Sequence, residues 1–291
     1  MPDFQTITGL SQVIDRYDGV ILDLWGVIHD GGKPYDGVPD CLDRLAAAGK
    51  AVCLLSNAPR RTAGVEAKLS GMGIGPDRYQ HVMTSGEAAF EALRDRNDPW
   101  HAKLGNRLYH LGPKRDRDVF ETLGCVEAAS PDAADFVLNT GTLDFDDTLD
   151  VYVPVLEACA AAGLPMICAN PDLVVLIGDQ MALCAGTLAQ HYETLGREVA
   201  YHGKPHAPVY RRCLELMGGP DRQRVLAIGD SFRTDVAGAN AAGIDSAFVT
   251  GGIHREELGI RWGETPDPER LAMAAATAGQ TPTYVIPRLV W

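Results

Sequence analysis

The sequence predicts an α/β protein built on a Rossmann-like parallel sheet. Short apolar runs alternate with helix-like segments along the 291 residues, which is the pattern of repeated βαβ units. Two of these runs, residues 19–22 and 225–228, are followed within two positions by an aspartate, Asp23 and Asp230. Because ligands bind at the carboxyl ends of strands in open α/β sheets, these acids predict an active site at that edge.

The first predicted strand ends at Asp23, and a glycine turn follows it at Gly26. The next apolar run, residues 51–55, ends in Ser56 and Asn57 before a predicted helix that begins near residue 59. A hydroxyl and free amides at a strand-to-helix turn suit a phosphate oxygen. Taken singly, such residues are more often turn or helix caps.

Two later segments also carry polar residues next to a predicted strand or helix. Lys204 follows Gly203 and precedes a predicted helix over residues 207–217. Asp230 follows the apolar run 225–228, and Asp235 lies about one helical turn beyond it, with the helix continuing through residues 236–239. Their joint occurrence in this order favours a functional site over a set of unrelated caps.

In this order and spacing, the four segments resemble the motifs of the haloacid dehalogenase-like (HAD) superfamily over most of the chain. The match is to the class IIA branch, as in phosphoglycolate, nitrophenyl phosphate and sugar phosphatases. A long insert separates Ser56 from Lys204, and its Ala-Asn-Pro-Asp at 169–172 and Ala-Gly-Thr at 185–187 resemble that branch. The resemblance implies an α/β HAD core from residues 1–84 and 202–291, with an inserted α/β class IIA cap domain at 85–201.

The insert has enough regular structure to be a domain rather than a loop. We expect helices near residues 116–123 and 151–162, and strands at the apolar runs 108–111, 136–138, 166–168 and 173–177. The acidic stretch 144–150 lacks the glycine and terminal glutamate of a calcium loop, so it is interpreted as a solvated loop.

The resemblance implies phosphoryl transfer through a covalent intermediate, and the residue types agree with it. Asp23 is the expected nucleophile, which gives an aspartyl phosphate. Asp230, one Asp23 oxygen and the backbone carbonyl of Trp25 are expected to hold Mg²⁺, which prefers carboxylates, carbonyls and water.

The remaining site residues are expected to handle charge and the phosphoryl group. Lys204 balances the negative charges near Asp23, while Ser56, Asn57 and adjacent amides bind the phosphoryl oxygens. Asp235 supports the site by the resemblance, although an acid in the first turn of a helix also favours the helix dipole.

Two further pairs are predicted near the substrate. Asn170 and Asp172 are expected to position the cap loop and bind substrate, although Asn-Pro-Asp is also an ordinary turn. Arg60 and Arg61 either reach a substrate anion or form a solvated first helical turn.

Trp25 departs from the family pattern, which has an aspartate two residues after the nucleophile. That aspartate protonates the leaving group and then activates water, and its loss costs a factor of about 10² to 10⁴. Aryl and acyl phosphates suffer least. His29 or Asp30 could replace the missing acid, or His29 could simply face the cap interface.

The sequence therefore predicts a Mg²⁺-dependent phosphatase for a small phosphorylated metabolite. The alternative is a sensor or scaffold that binds a phosphometabolite without turnover because of Trp25. Other HAD chemistry is also considered: dehalogenation does not need Mg²⁺, so the Asp230 region disfavours it, whereas phosphotransfer to a second substrate stays open.

Composition limits the partners and the location. The net charge of −13 argues against a nucleic-acid backbone as substrate. The seven cysteines are scattered and contain no CxxC pair, so they predict buried thiols rather than disulfides or a zinc site. No apolar run reaches the roughly 18 residues that span a bilayer, so we expect a cytoplasmic protein without a membrane partner. A homo-oligomer stays open.

Overall fold

The computed structural model describes residues 4–177 and 180–291, which divide into two compact units. The first unit contains the described part of Met1–Ser56 together with Glu66–Met83 and Lys204–Trp291. The second unit contains Asn57–Val65 and Thr84–Gly203 within the same described ranges.

The described residues form strands and α-helices in alternation along most of the chain. The strands are β1 (Gln5–Thr6), β2 (Gly19–Asp23), β3 (Ala51–Ser56), β4 (His81–Thr84), β5 (Arg107–Leu111), β6 (Val126–Glu127), β7 (Phe136–Asn139), β8 (Met166–Cys168), β9 (Val174–Ile177), β10 (Gln180–Leu183), β11 (Val199–Tyr201), β12 (Val225–Gly229), β13 (Asp245–Val249) and β14 (Tyr284–Ile286). The helices are α1 (Val38–Ala47), α2 (Thr62–Gly71), α3 (Ser85–Asp95), α4 (Leu149–Ala161), α5 (Ala185–Thr194), α6 (Ala207–Leu216), α7 (Ala237–Ala242), α8 (Arg255–Leu258) and α9 (Pro268–Ala278).

The first unit is built on one sheet with the strand order β1-β14-β13-β12-β2-β3-β4. The pairs on either side of β2 are parallel: β12 lies on one edge and β3 on the other. The strand order reverses at this point, which is where open α/β sheets bind ligands. All five residues of β2 are buried, as expected for the central strand of a parallel sheet.

The second unit has its own parallel sheet, in the order β11-β8-β7-β5-β6, and a separate antiparallel ribbon of β9 and β10. Apolar side chains cover both faces of this sheet. One cluster includes Tyr152, Leu156 and Tyr192, which come from α4 and α5. Another includes Phe90 and Phe120. This unit therefore has hydrophobic cores of its own.

The predicted α/β fold with a Rossmann-like parallel sheet is confirmed. The expected strands of the insert are all present as β5, β7, β8 and β9, and the helix expected over residues 151–162 is α4. The helix expected over residues 116–123 is instead a short 3₁₀ helix, Lys114–Val119. The five consecutive charged residues 114–118 give this turn no apolar stripe, and the apolar residues begin only at Val119.

Among the described residues, none of the helices combines the length and the apolar character that crossing a bilayer requires.

Candidate active site

The predicted acids of the first unit meet at the carboxyl edge of its sheet. Asp23 ends β2, and in the register of the sheet it faces Leu55, the residue before Ser56. On the other side Leu22 faces Ile228, two residues before Asp230. Strand pairing alone therefore brings together residues that are more than 200 positions apart in the sequence.

Lys204 places a positive charge among these acids. Its Nζ donates to Asp23 Oδ1 at 2.5 Å and to Asp235 Oδ1 at 2.7 Å. The Lys204 side chain is 4% exposed, and the two carboxylates are 9% and 8% exposed. A buried ammonium is costly without such partners, so the two carboxylates stabilise Lys204 and fix the position of one Asp23 oxygen.

Three buried carboxylates, those of Asp23, Asp230 and Asp235, have ligand oxygens within 4.8 Å of one another. Burial, followed by the charges of Asp23 and Asp235, raises the pKa of Asp230 well above its ordinary value. Repulsion between like charges held this close is relieved either by a proton on one carboxylate or by a counter-charge beyond that of Lys204. A hard divalent cation with oxygen ligands fits this donor set, and Asp23 and Asp230 are the residues that would hold it.

The Asp230 carboxylate is enclosed by two glycines. A Cβ atom built on Gly26 or on Gly252 would lie 2.0 Å from Asp230 Oδ2. The backbone N–H of Ile253 also donates to that oxygen at 2.8 Å. Sequence reasoning missed Gly252 and Ile253, although the Gly-Gly pair one residue after the apolar run of β13 is a signal that could have identified them.

Asp235 is positioned by an unusual helical turn. Residues Phe232–Val236 form a π-helical turn before α7, where the sequence predicts a continuous α-helix. The backbone N–H of Ser231 donates to Asp235 Oδ2 at 3.1 Å, and a Cβ atom on Gly229 would lie 2.1 Å from Asp235 Cγ. Such turns are frequent at functional sites because they change the direction of a side chain without ending the helix.

Trp25 is half-buried in the first unit, and three neighbours hold its ring. Lys68 Nζ lies 4.9 Å from the ring centroid, and the His29 ring meets the indole edge to face with centroids 5.5 Å apart. A Cβ atom on Gly31 would lie 2.6 Å from Trp25 Cη2. Lys68 is an exposed helix lysine, so nothing in the local sequence pattern identifies it.

His29 and Asp30, the two residues considered as substitutes for the missing acid, both contact the turn that follows them. The N–H of Gly31 donates to His29 Nδ1 at 3.0 Å, and burial lowers the pKa of His29 to about 4. Asp30 Oδ1 accepts from the N–H groups of Gly32 and Lys33, both at 2.9 Å, and these bonds lower its pKa. At neutral pH, His29 is uncharged and Asp30 is ionised.

The predicted residues of the second unit form a hydrogen-bonded network. Asn57 Nδ2 donates to Asp172 Oδ1 at 2.8 Å, and Ser85 Oγ donates to Asn57 Oδ1 at 3.0 Å. The N–H of Asp172 donates to Asn170 Oδ1 at 3.0 Å, as in an Asx turn. Asn57 is 3% exposed and both ends of its amide are engaged. The roles of Asn57, Asn170 and Asp172 toward substrate stay predictions.

Arg60 and Arg61 have different surroundings in the second unit. Arg61 makes a two-point ion pair with Glu87, at 2.6 and 3.0 Å, and stacks over Phe90. Arg60 Nε lies 3.5 Å from Asp116 Oδ1, which is too long for a good hydrogen bond, and its side chain is 34% exposed. Arg61 is thus held by hydrogen bonds and stacking, whereas Arg60 has only the longer ion pair with Asp116.

Three family models match the chain. Residues 20–126 and residues 86–243 match models that are both described as haloacid dehalogenase-like hydrolase. Residues 201–290 match a HAD-hydrolase-like model. The chain is a haloacid dehalogenase-like (HAD) hydrolase. The family predicted from the sequence motifs is therefore confirmed.

Several relatives of this HAD hydrolase are aligned over most of their length. Human chronophin is 28% identical over 85% of this chain and 86% of its own. A haloacid dehalogenase-like hydrolase from Brucella suis 1330 is 31% identical, with a TM-score of 0.82, over 98% of this chain and 100% of that one. The 4-nitrophenylphosphatase of Thermotoga maritima is 26% identical, with a TM-score of 0.70, over 94% and 95% of the two chains.

Proposed function

We propose that this HAD hydrolase is a Mg²⁺-dependent phosphatase that acts on a small phosphorylated metabolite through an aspartyl phosphate at Asp23. The observation that carries the proposal is the buried bridge of Lys204 between Asp23 and Asp235. A lysine that binds one oxygen of a strand-end aspartate leaves a carboxylate oriented for attack on phosphorus. The relatedness to a nitrophenylphosphatase supports the reaction class.

Mg²⁺ would be held by Asp23, Asp230 and the backbone carbonyl of Trp25. When bound, it would neutralise charge on the phosphoryl oxygens. Within the protein, Asp23 supplies the attacking oxygen, Lys204 limits its charge repulsion with the incoming phosphate, and Asp235 holds Lys204 in place. Ser56, at the end of β3, supplies a hydroxyl at the same sheet edge for a phosphoryl oxygen.

We propose that residues 85–201 are the cap domain of the family and that Asn57, Asn170 and Asp172 act near the substrate. The Asn57 network gives these residues fixed positions relative to each other within the second unit. Fixed polar groups orient a ligand at a lower entropic cost than mobile ones.

The alternative function is a phosphometabolite sensor in which Trp25 prevents turnover. Trp25 favours the sensor function because its indole can neither protonate a leaving group nor deprotonate a water molecule. Hydrolysis of p-nitrophenyl phosphate by the wild type, Asp23→Asn and Trp25→Asp separates the two functions, since this leaving group needs little protonation.

Mg²⁺-dependent hydrolysis by the wild type that is lost in Asp23→Asn is the result expected for the phosphatase. A silent wild type with activity gained in Trp25→Asp would make the sensor the better description. The dependence on metal is tested with EDTA, which should abolish the activity, and with added Mg²⁺, which should restore it.

A further inference from the structure

The side chain two positions after the proposed nucleophile has no acid-base chemistry at neutral pH. The indole N–H of Trp25 is a hydrogen-bond donor that neither releases nor accepts a proton in this range. A leaving oxygen next to it can receive a hydrogen bond but not a proton. A water molecule next to it cannot be deprotonated by it.

The position of Trp25 is fixed by its packing. The Lys68 cation at 4.9 Å, the His29 ring at 5.5 Å and the close approach of Gly31 enclose different parts of the indole. Gly31 has a φ of +99°, a backbone conformation that glycine adopts without strain. The indole is therefore a fixed part of the first unit rather than a side chain that moves aside for an acid.

The ionisable groups that follow Trp25 in the sequence are engaged elsewhere. His29 Nδ1 accepts from the N–H of Gly31, and Asp30 Oδ1 accepts from two backbone N–H groups of its own turn. The Lys204 ammonium is shared between Asp23 and Asp235. His29 could become an acid only by taking a proton at Nδ1, which would break its contact with the Gly31 N–H. Asp30 is held ionised by the backbone N–H groups that lower its pKa, so it has no proton to give at neutral pH. Two of the three N–H groups of Lys204 are used by carboxylates.

We propose that this enzyme expels its leaving group without protonating it, so that its substrates are activated phosphates, acyl and aryl phosphates, rather than alkyl phosphates. This inference rests on the proposed phosphatase function. An Asp23 oxygen forms a bond to phosphorus while the bond from phosphorus to the leaving oxygen breaks. The electron pair stays on that oxygen, which departs as a carboxylate or phenolate. Such anions are stable at neutral pH, whereas an alkoxide is not.

The same side chain affects the second step. Water must attack the phosphorus of the aspartyl phosphate, the bond to Asp23 must break with its electron pair returning to the carboxylate, and the water proton passes to phosphate or solvent. Without a positioned base this step is slowed by a factor of about 10² to 10⁴. The phosphorylated Asp23 therefore accumulates during turnover.

A series of phosphate monoesters with leaving groups of increasing pKa tests the first part. The series runs from acetyl phosphate through substituted phenyl phosphates to glycerol phosphate. For each substrate, kcat/KM is measured with the wild type, Trp25→Asp and Trp25→Phe. In the wild type and Trp25→Phe, kcat/KM should fall steeply as the leaving-group pKa rises. In Trp25→Asp the dependence should flatten, and glycerol phosphate should gain about 10²-fold or more.

Rapid mixing and intact-protein mass spectrometry test the second part. The wild type should release one burst of nitrophenolate per enzyme molecule and carry the mass of one phosphoryl group, which Asp23→Asn should not carry. Steady turnover without a burst and with equal rates on aryl and alkyl phosphates overturns this inference and leaves the phosphatase function standing. Absence of both turnover and phosphoenzyme with every substrate overturns both.

Discussion

At the scale of single residues, backbone close to Asp230 determines where its carboxylate lies. Gly26 and Gly252 approach one oxygen so closely that a methyl group would overlap it, and the Ile253 N–H donates to the same atom. Gly26 has a φ of +80°, so its replacement would also strain the backbone. Gly252 does not have a positive φ, so replacing it by alanine tests the steric overlap with Asp230 without adding backbone strain.

Gly252→Ala should weaken metal binding by about 10- to 100-fold, because the new Cβ displaces a carboxylate that positions the metal. The metal concentration for half-maximal activity and calorimetric titration with Mg²⁺ measure this change. Gly71→Ala is the matched control, since a Cβ there contacts nothing within 4 Å. Equal metal affinity in Gly252→Ala and wild type would show that Gly252 does not position the Asp230 carboxylate for the metal.

At the scale of elements, the 3₁₀ helix Lys114–Val119 buries a carboxylate away from water. Asp116 is 1% exposed and its Oδ1 has no hydrogen-bond partner, while Arg60 Nε is 3.5 Å away. Burial raises the pKa of Asp116 from 3.8 to about 6, against the opposing effect of Arg60. This element therefore binds a proton more tightly in the folded protein than in the unfolded chain.

The pKa of Asp116 predicts the direction of a stability change with pH. Its contribution is fully present below pH 3.8 and is lost as the pH rises through about 6. Asp116→Asn should therefore gain stability over the wild type by on the order of 2 kcal/mol near pH 8, and by about half as much near pH 5. Denaturant unfolding at both pH values measures it, with exposed Asp77→Asn as the control. A difference that does not change with pH would contradict the prediction.

At the scale of the whole molecule, the charge of the chain and the charge of the site differ. The net charge is −13, so the overall field repels an anionic substrate, and the Lys204 ammonium supplies local positive charge. Three buried carboxylates around one lysine leave an excess of negative charge that a cation would offset. Metal binding is thus expected to stabilise the folded chain.

Mg²⁺ at about a hundredfold above its Kd should stabilise the folded chain by about 2.7 kcal/mol relative to the protein in EDTA. The melting temperature should rise accordingly, by roughly 5 °C for a chain of this size. The shift should vanish in Asp230→Asn and persist in Asp150→Asn, which alters an exposed acid of the stretch 144–150. An unchanged melting temperature in the wild type would speak against a magnesium site.

Much of the first unit could be predicted because its elements are local. The apolar run before Asp23 is β2, the run before Ser56 is β3, and the run before Asp230 is β12, each with its polar residue at the carboxyl end. Period and length of an apolar run determine such elements without reference to the rest of the chain. The helix predicted over 116–123 is wrong because, although Val119, Phe120 and Leu123 have helical spacing, the charged residues before them extend that apolar face no further.

The sequence by itself determined the fold class, the family and the residue types of the site, because strand patterns and motif order are encoded locally. Tertiary structure alone decided which oxygens meet. Lys204 bonds to Asp23 at the end of β2 and to Asp235 in the π-helical turn, two residues that are far apart in the sequence. The enclosure of Asp230 depends on Gly252, which follows a different strand. Distances of this kind depend on how distant elements pack, and no local pattern specifies that packing.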